Sequence, residues 1–255
     1  MKRVIAVACG ILAACGGGGD KSATPGADAA APPAAPAAMP AGGATISGTV
    51  HFTGTAPANP PIDMSEEAAC KAKYSTPPTD PQILVANGQL ANAFVYVKSG
   101  LPAGATYPAP AEPVVIDQDG CLYHPRVFGL MVGQTLEIRN SDPVLHNIKA
   151  VPTANRGFNI SQPTQGMKTT RKFDTPEVMV PLECNVHGWM NAHVGVLPHP
   201  FFAVSGADGT FTIRGLPAGT YELEAWHEKL GTRTVSVTVT DGGTATAEIS
   251  FGPSA

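Results

Sequence analysis

The chain has 255 residues, among them 25 prolines and 28 glycines, with only 14% charged, a formal net charge of −4 and a pI near 5.9. An acidic balance without a basic cluster argues against a nucleic-acid partner. Beyond its small-residue N-terminal stretch, the chain is long enough for one large or two small domains.

In chain order, Lys2-Arg3 is a basic start, Val4 to Leu12 is a short apolar stretch, and Leu12-Ala13-Ala14 ends it on small residues before Cys15. The apolar run is too short to cross a bilayer of ordinary thickness. The pattern resembles the lipobox of bacterial lipoproteins. That resemblance implies a cleaved signal peptide over residues 1–14 and a lipid on Cys15; the plainer alternative is an ordinary secretory leader with an incidental cysteine. Gly16 takes the place of the aspartate that resembles an inner-membrane retention signal, so the expected location is periplasmic, anchored to the outer membrane. From Gly16 to Gly43 there is no aromatic residue, and small residues dominate. Such a stretch cannot bury enough apolar area to offset its ordering entropy, so residues 15–43 are read as a disordered tether. Its Ala29 to Pro40 part is expected to be extended and semi-rigid.

From Ala44 onward the sequence reads as all-β, because short alternating runs recur and no stretch sustains a helical period. Ile46, Gly48, Val50 and Phe52 alternate with Ser47, Thr49 and His51; Leu136 and Ile138 alternate with Thr135, Glu137 and Arg139. Near the end, Val235, Val237 and Val239 form one apolar face, and Ala245, Ala247, Ile249 and Phe251 form another. Each is the pattern of a strand with one side on a core. Asp208-Gly209 is a hairpin signal, and Pro217 to Gly219 make a tight turn.

The chemistry concentrates in Cys184-Asn185-Val186-His187-Gly188-Trp189-Met190, which holds a thiol, an imidazole and a thioether within seven positions. A second imidazole, His146, lies 38 positions before Cys184. A thiolate and two imidazoles in a trigonal plane, with a weak axial thioether, are the donors of a blue copper site. Val178, Val180, Leu182 and Cys184 are expected to share one strand face, which turns the thiol inward. His187 and Met190 then fall on the following turn, and a sandwich whose strands end at one pole can bring His146 to it. The axial donor is open between Met190, His193 and a main-chain oxygen. A neutral imidazole needs its other nitrogen fixed by a partner, and a backbone carbonyl could serve His146. The bland alternatives are a cysteine that fills core space and histidines that are merely satisfied or solvated. Trp189 is read as a shield for the site, His199 as a structural residue at a domain junction, Trp226-His227 as a cap near that junction, and His51 and His124 as surface residues. With Cys184 on a metal, Cys70 and Cys121 remain, and an oxidising compartment predicts a disulfide between them rather than two free buried thiols.

Two family resemblances organise this β region. Val114 to His199 resembles a cupredoxin, carried by Val132-Gly133-Gln134-Thr135-Leu136-Glu137-Ile138, Asn140-Ser141-Asp142, His146-Asn147 and the Cys-x-x-His-x-x-Met loop. The resemblance implies one type 1 copper site on His146, Cys184, His187 and Met190, with the short ligand loop of amicyanin-like carriers. It also implies that Asn147 ties the two ligand loops together and that His187 is the exposed ligand through which electrons leave. Val204 to Phe251 resembles a carboxypeptidase regulatory-like, transthyretin-like sandwich, carried by Ala207-Asp208-Gly209-Thr210-Phe211-Thr212-Ile213 and Leu216-Pro217-Ala218-Gly219-Thr220-Tyr221. Its four or so strands are too few to close a sandwich, and the missing half is sought in Ile46 to Lys98. The expected layout is therefore a cupredoxin over residues 111–199 inserted into a split sandwich of residues 44–110 and 200–255; the competing layout is a cupredoxin with long strand extensions at both ends. The resemblances imply a periplasmic, membrane-tethered electron carrier and not an enzyme, with a cytochrome or dehydrogenase as redox partner. The other readings are copper delivery without redox turnover, and a metal-free binding module.

Overall fold

The computed structural model describes residues 42–252; residues 1–14, Cys15 and nearly all of the expected tether lie outside the described residues. The described chain is all-β, with one short helix. It opens with strand β1 (Ala44–Phe52), helix α1 (Ala68–Lys71), the short strands β2 (Val85–Ala86) and β3 (Gln89–Leu90), and β4 (Phe94–Ser99). A middle block follows: β5 (Val114–Asp119), β6 (Leu122–His124), β7 (Val127–Met131), β8 (Leu136–Asn140), β9 (His146–Ala150), β10 (Phe158–Gln162), β11 (Lys168–Arg171), β12 (Glu177–Glu183) and β13 (Asn191–Leu197). The last block is β14 (Phe202–Val204), β15 (Thr210–Leu216), β16 (Gly219–His227), β17 (Gly231–Val239) and β18 (Thr244–Phe251).

The first and last blocks share their sheets. One has the order β15-β1-β3-β2, with β18 also paired to β1, and the other runs β14-β4-β16-β17. Their facing sides make one core, where Ile46, Val50 and Phe52 meet Val95, Leu223, Ile249 and Phe251. The alternation in β1 is complete: Ala44, Ile46, Gly48, Val50 and Phe52 are buried and the residues between them are not. Gly48 is required at its place, because a Cβ there would lie 2.0 Å from the Ala247 carbonyl oxygen.

The middle block makes two sheets of its own, β10-β9-β12-β13-β7 and β11-β8-β5-β6. Their shared core contains Ile116, Phe128, Leu136, Ile138, Ile148, Leu182 and Val194. β12 departs from the expected alternation. A bulge between Glu177 and Val180, with Met179 at φ 50°, turns Val178 outward to 39% exposure while Met179, Val180, Leu182 and Cys184 are buried. The extra residue shifts the side-chain phase by one.

A third apolar cluster, including Phe94, Met131, Met179, Leu197 and Phe202, joins the two sandwiches. At this junction Arg126 donates from Nε and a terminal nitrogen to both carboxylate oxygens of Glu228, at 2.6 and 2.9 Å, and its other terminal nitrogen lies 2.8 Å from Asp80 Oδ1. His199 is buried, with Nε2 3.0 Å from the Val97 carbonyl and Nδ1 accepting from the Phe201 amide. His227 is also buried, whereas His51 is partly exposed and pairs with Glu248. His124 Nε2 lies 3.1 Å from the Asp119 carbonyl.

Candidate metal centre

Strand order decides which loops meet. β12 lies between β9 and β13 and runs antiparallel to both, so the start of β9 and the β12–β13 connection fall at the same pole. His146 is the first residue of β9, and Cys184 to Met190 fill the gap between Glu183, the last residue of β12, and Asn191, the first of β13. The loop closes on itself: the Cys184 amide donates to the Met190 carbonyl (3.2 Å) and the Met190 amide to the His187 carbonyl (2.9 Å). Asn147 joins the start of β9 to this loop, since its Oδ1 accepts from the Asn185 amide at 3.2 Å.

These constraints bring His146, Cys184 and His187 together, their donor atoms within 4.8 Å of one another and all three residues buried. Both imidazoles turn Nδ1 inward. The two Nδ1 atoms are 3.0 Å apart, and Cys184 Sγ is 3.9 Å from that of His187 and accepts from its amide at 3.3 Å. Met190 is buried in the same core as Cys184. Cys184 is the free cysteine of the described chain. Burial raises its pKa, but hydrogen bonds from His146 and His187 outweigh that and bring it down to about 5. In metal-free protein, ultraviolet thiolate absorbance is therefore expected at neutral pH and should vanish as the pH falls below about 5; titration of wild type against Cys184→Ser measures it.

His193 is placed elsewhere. It sits on β13 against Trp226 at the sandwich junction, 4.9 Å between ring centroids, and it belongs to neither metal-capable cluster of the described residues. Burial lowers its pKa.

The outward edge of the site differs from what the cupredoxin resemblance implies. His187 is only 2% exposed, because the segment Ile62 to Tyr74 covers the pole. Cys70, in α1, forms a disulfide with Cys121, and its sulfur lies 3.9 Å from His187 Nε2; Glu67 Oε2 lies 3.8 Å from the same nitrogen. Tyr74 donates to the Gly120 carbonyl at 2.7 Å. Trp189 completes the cover, its indole 5.1 Å from the His187 ring and its Nε1 donating to the Cys121 carbonyl at 2.9 Å.

The other outer nitrogen has a partner that sequence reasoning missed. His146 Nε2 lies 2.8 Å from Asp142 Oδ2, so a carboxylate rather than a backbone carbonyl fixes this ring. Burial raises the Asp142 pKa, but the contacts with His146, Lys73 and the Cys121 amide hold it well below the ordinary carboxylate range. Burial likewise lowers the His146 pKa, and Asp142 and Cys184 more than reverse this, leaving it raised. The spacing of four between Asp142 and His146 was visible in the Asn-Ser-Asp turn; nothing in the sequence joined it to Lys73.

Comparison with known proteins gives two kinds of likeness. The family model of the carboxypeptidase regulatory-like domain matches residues 190–252. Among solved structures, the chain is similar to a copper-containing nitrite reductase from Thermus scotoductus SA-01 at 21% identity and TM-score 0.32, over 38% of this chain and only 25% of that one. It is similar to a purple cupredoxin from Nitrosopumilus maritimus at 22% identity and TM-score 0.28, over 32% of this chain and 97% of that one. A reduced variant of amicyanin gives 20% identity and TM-score 0.30, over 41% and 98%. No curated protein matches the chain.

Proposed function

We propose that this protein is a one-electron carrier built on a single type 1 copper site held by His146, Cys184 and His187, with Met190 as the weak fourth donor. One observation carries the reading: a buried thiol already biased toward thiolate faces two imidazole Nδ1 atoms, all within 4.8 Å. That donor set suits copper, which when bound supplies a one-electron change of charge. The chain's own residues do the rest. The two loop hydrogen bonds and the Asn147 clamp hold the donors in place, so little need move when the charge changes. Burial keeps water from the thiolate and leaves no approach for a substrate, which favours electron transfer over catalysis. The cover formed by Glu67, Cys70 and Trp189 favours a carrier over a delivery protein, since releasing an ion would require that cover to open. Leu145 and Val186, each next to a ligand and 43% and 46% exposed, offer an apolar landing for a redox partner such as a cytochrome or dehydrogenase. A lipid on Cys15 would hold the carrier at the periplasmic face of the outer membrane.

The test is the visible spectrum of copper-loaded protein. Wild type is expected to show an intense thiolate-to-copper band, and Cys184→Ser to lack it while unfolding at a similar temperature. Stoichiometric copper binding without that band in wild type would reject the type 1 assignment.

A further inference from the structure

With both Nδ1 atoms turned toward Cys184, both Nε2 atoms face the cover, and the cover answers them differently. At His187 Nε2 it places the Cys70 sulfur at 3.9 Å, a long and weak contact, and a Glu67 carboxylate oxygen at 3.8 Å, beyond hydrogen-bond distance. At His146 Nε2 a direct contact forms with Asp142, whose side chain is 0% exposed. Asp142 is held on every side: Oδ2 also accepts from the Cys121 amide (2.7 Å), and Oδ1 accepts from the Gly120 amide (3.0 Å) and from Lys73 Nζ (2.5 Å). Lys73 belongs to the cover, two residues past the end of α1, and its ammonium also lies 3.7 Å from Asp119. A charge pair with a buried anion and a partly exposed cation therefore sits directly behind one of the proposed ligands, with the anion touching the imidazole and the cation touching the anion.

We propose that Asp142 is a positioning residue that sets the charge preference of the metal through His146, and that Lys73 trims its effect from the cover. The inference rests on the copper reading above and goes beyond it. A carboxylate accepting from Nε2–H fixes the tautomer that leaves Nδ1 free and makes that nitrogen a stronger donor. A stronger donor favours the higher charge state of a bound ion. The ammonium withdraws part of the carboxylate's charge, so removing Lys73 strengthens the effect that removing Asp142 abolishes. The two variants must therefore move the one-electron potential in opposite directions, which a merely structural pair would not do.

The experiment compares copper-loaded wild type, Asp142→Asn, Lys73→Met and Lys73→Arg by redox titration, with the disulfide intact. Asp142→Asn is expected to favour reduced copper about tenfold, a rise of about 59 mV for a one-electron couple. Lys73→Met is expected to lower the potential, and Lys73→Arg to stay at the wild-type value. A second readout uses metal-free protein at a pH alkaline enough to leave His146 neutral: imidazole ¹⁵N shifts should report His146 protonated on Nε2 in wild type and a mixed tautomer in Asp142→Asn. Equal potentials, or shifts of the same sign, overturn the inference. Should Asp142→Asn fail to fold, the Lys73 pair decides alone. Loss of the copper band in wild type rejects the copper reading instead, and the tautomer measurement then still decides whether Asp142 positions His146.

Discussion

Gly195→Ala is expected to destabilise the protein by about 2 kcal/mol or more, although alanine in place of glycine within a strand ordinarily stabilises slightly. The reason is a hollow shared by two glycines. Gly195 on β13 pairs with Gly129 on β7, and the rings of Phe94 and Phe202 from the other sandwich stack over the pair, 5.5 Å between their centroids. A Cβ on Gly195 would lie 2.4 Å from Phe94 Cζ, and one on Gly129 would lie 2.5 Å from Phe202 Cε2. Neither glycine is needed for a left-handed backbone, so the requirement is space alone. Phe94 is fully buried and cannot swing into solvent without opening the junction. Urea denaturation of Gly195→Ala, Phe94→Leu and the double variant forms a mutant cycle. The double variant is expected to recover part of the loss, because the shorter side chain vacates the volume that the methyl group enters. A neutral Gly195→Ala would show that the rings are free to move and that the sandwiches are not locked at this point.

Removal of the disulfide by Cys70→Ala with Cys121→Ala is expected to cost about 4 kcal/mol, since the bridge spans 51 residues and restricts the unfolded chain accordingly. A local effect accompanies the global one. Without the bridge, Ile62 to Tyr74 keeps the Tyr74–Gly120 hydrogen bond and the Lys73–Asp142 ion pair, but loses the covalent link beside His187. Imidazole modification of the metal-free protein should then reach His187 many times faster than in wild type, whereas His199, buried in the other sandwich, should react as before. Denaturation with and without reductant, read together with peptide mapping of the modified histidines, separates the two effects. Equal stability in both redox states would contradict the first, and an unchanged His187 rate the second.

Much of the fold was legible because its strands are half-buried. The alternations in β1, β8 and β18 each state which face meets a core, and the burial of those strands follows them. Val178 was misread because a bulge is one inserted residue, and nothing in Glu177 to Val180 marks which residue is extra until the partner strand is known. The Cys184 to Met190 loop stood out as a candidate because its donor-type side chains are close in sequence and chemically unusual together. The cover was not, for the opposite reason. Glu67, Cys70 and Lys73 come from a segment with a single helical turn and no periodic signal, and the contact between Cys70 and His187 spans 117 positions. Only the assembled topology brings those side chains to His146 and His187, so the resemblance that implied an exposed His187 carried over a property of neighbouring segments that this chain does not share. Asp142 lay inside a motif already singled out, but its role depends on burial, which the sequence around a turn does not reveal.

The parallel pairing of β1 with β18, in register from Thr45 with Thr244 to Phe52 with Phe251, also bears on how the molecule assembles. Every strand of the middle block lies between β1 and β18 in the sequence. The middle block draws all nine of its strands from one continuous stretch, so it can condense without waiting for the outer strands. The outer sheets must wait, with the apolar face of β1 uncovered, until their distant partners arrive, and such long-range pairings are slow to form. That interval is when this protein is most exposed to aggregation, and it ends only with the arrival of Phe251.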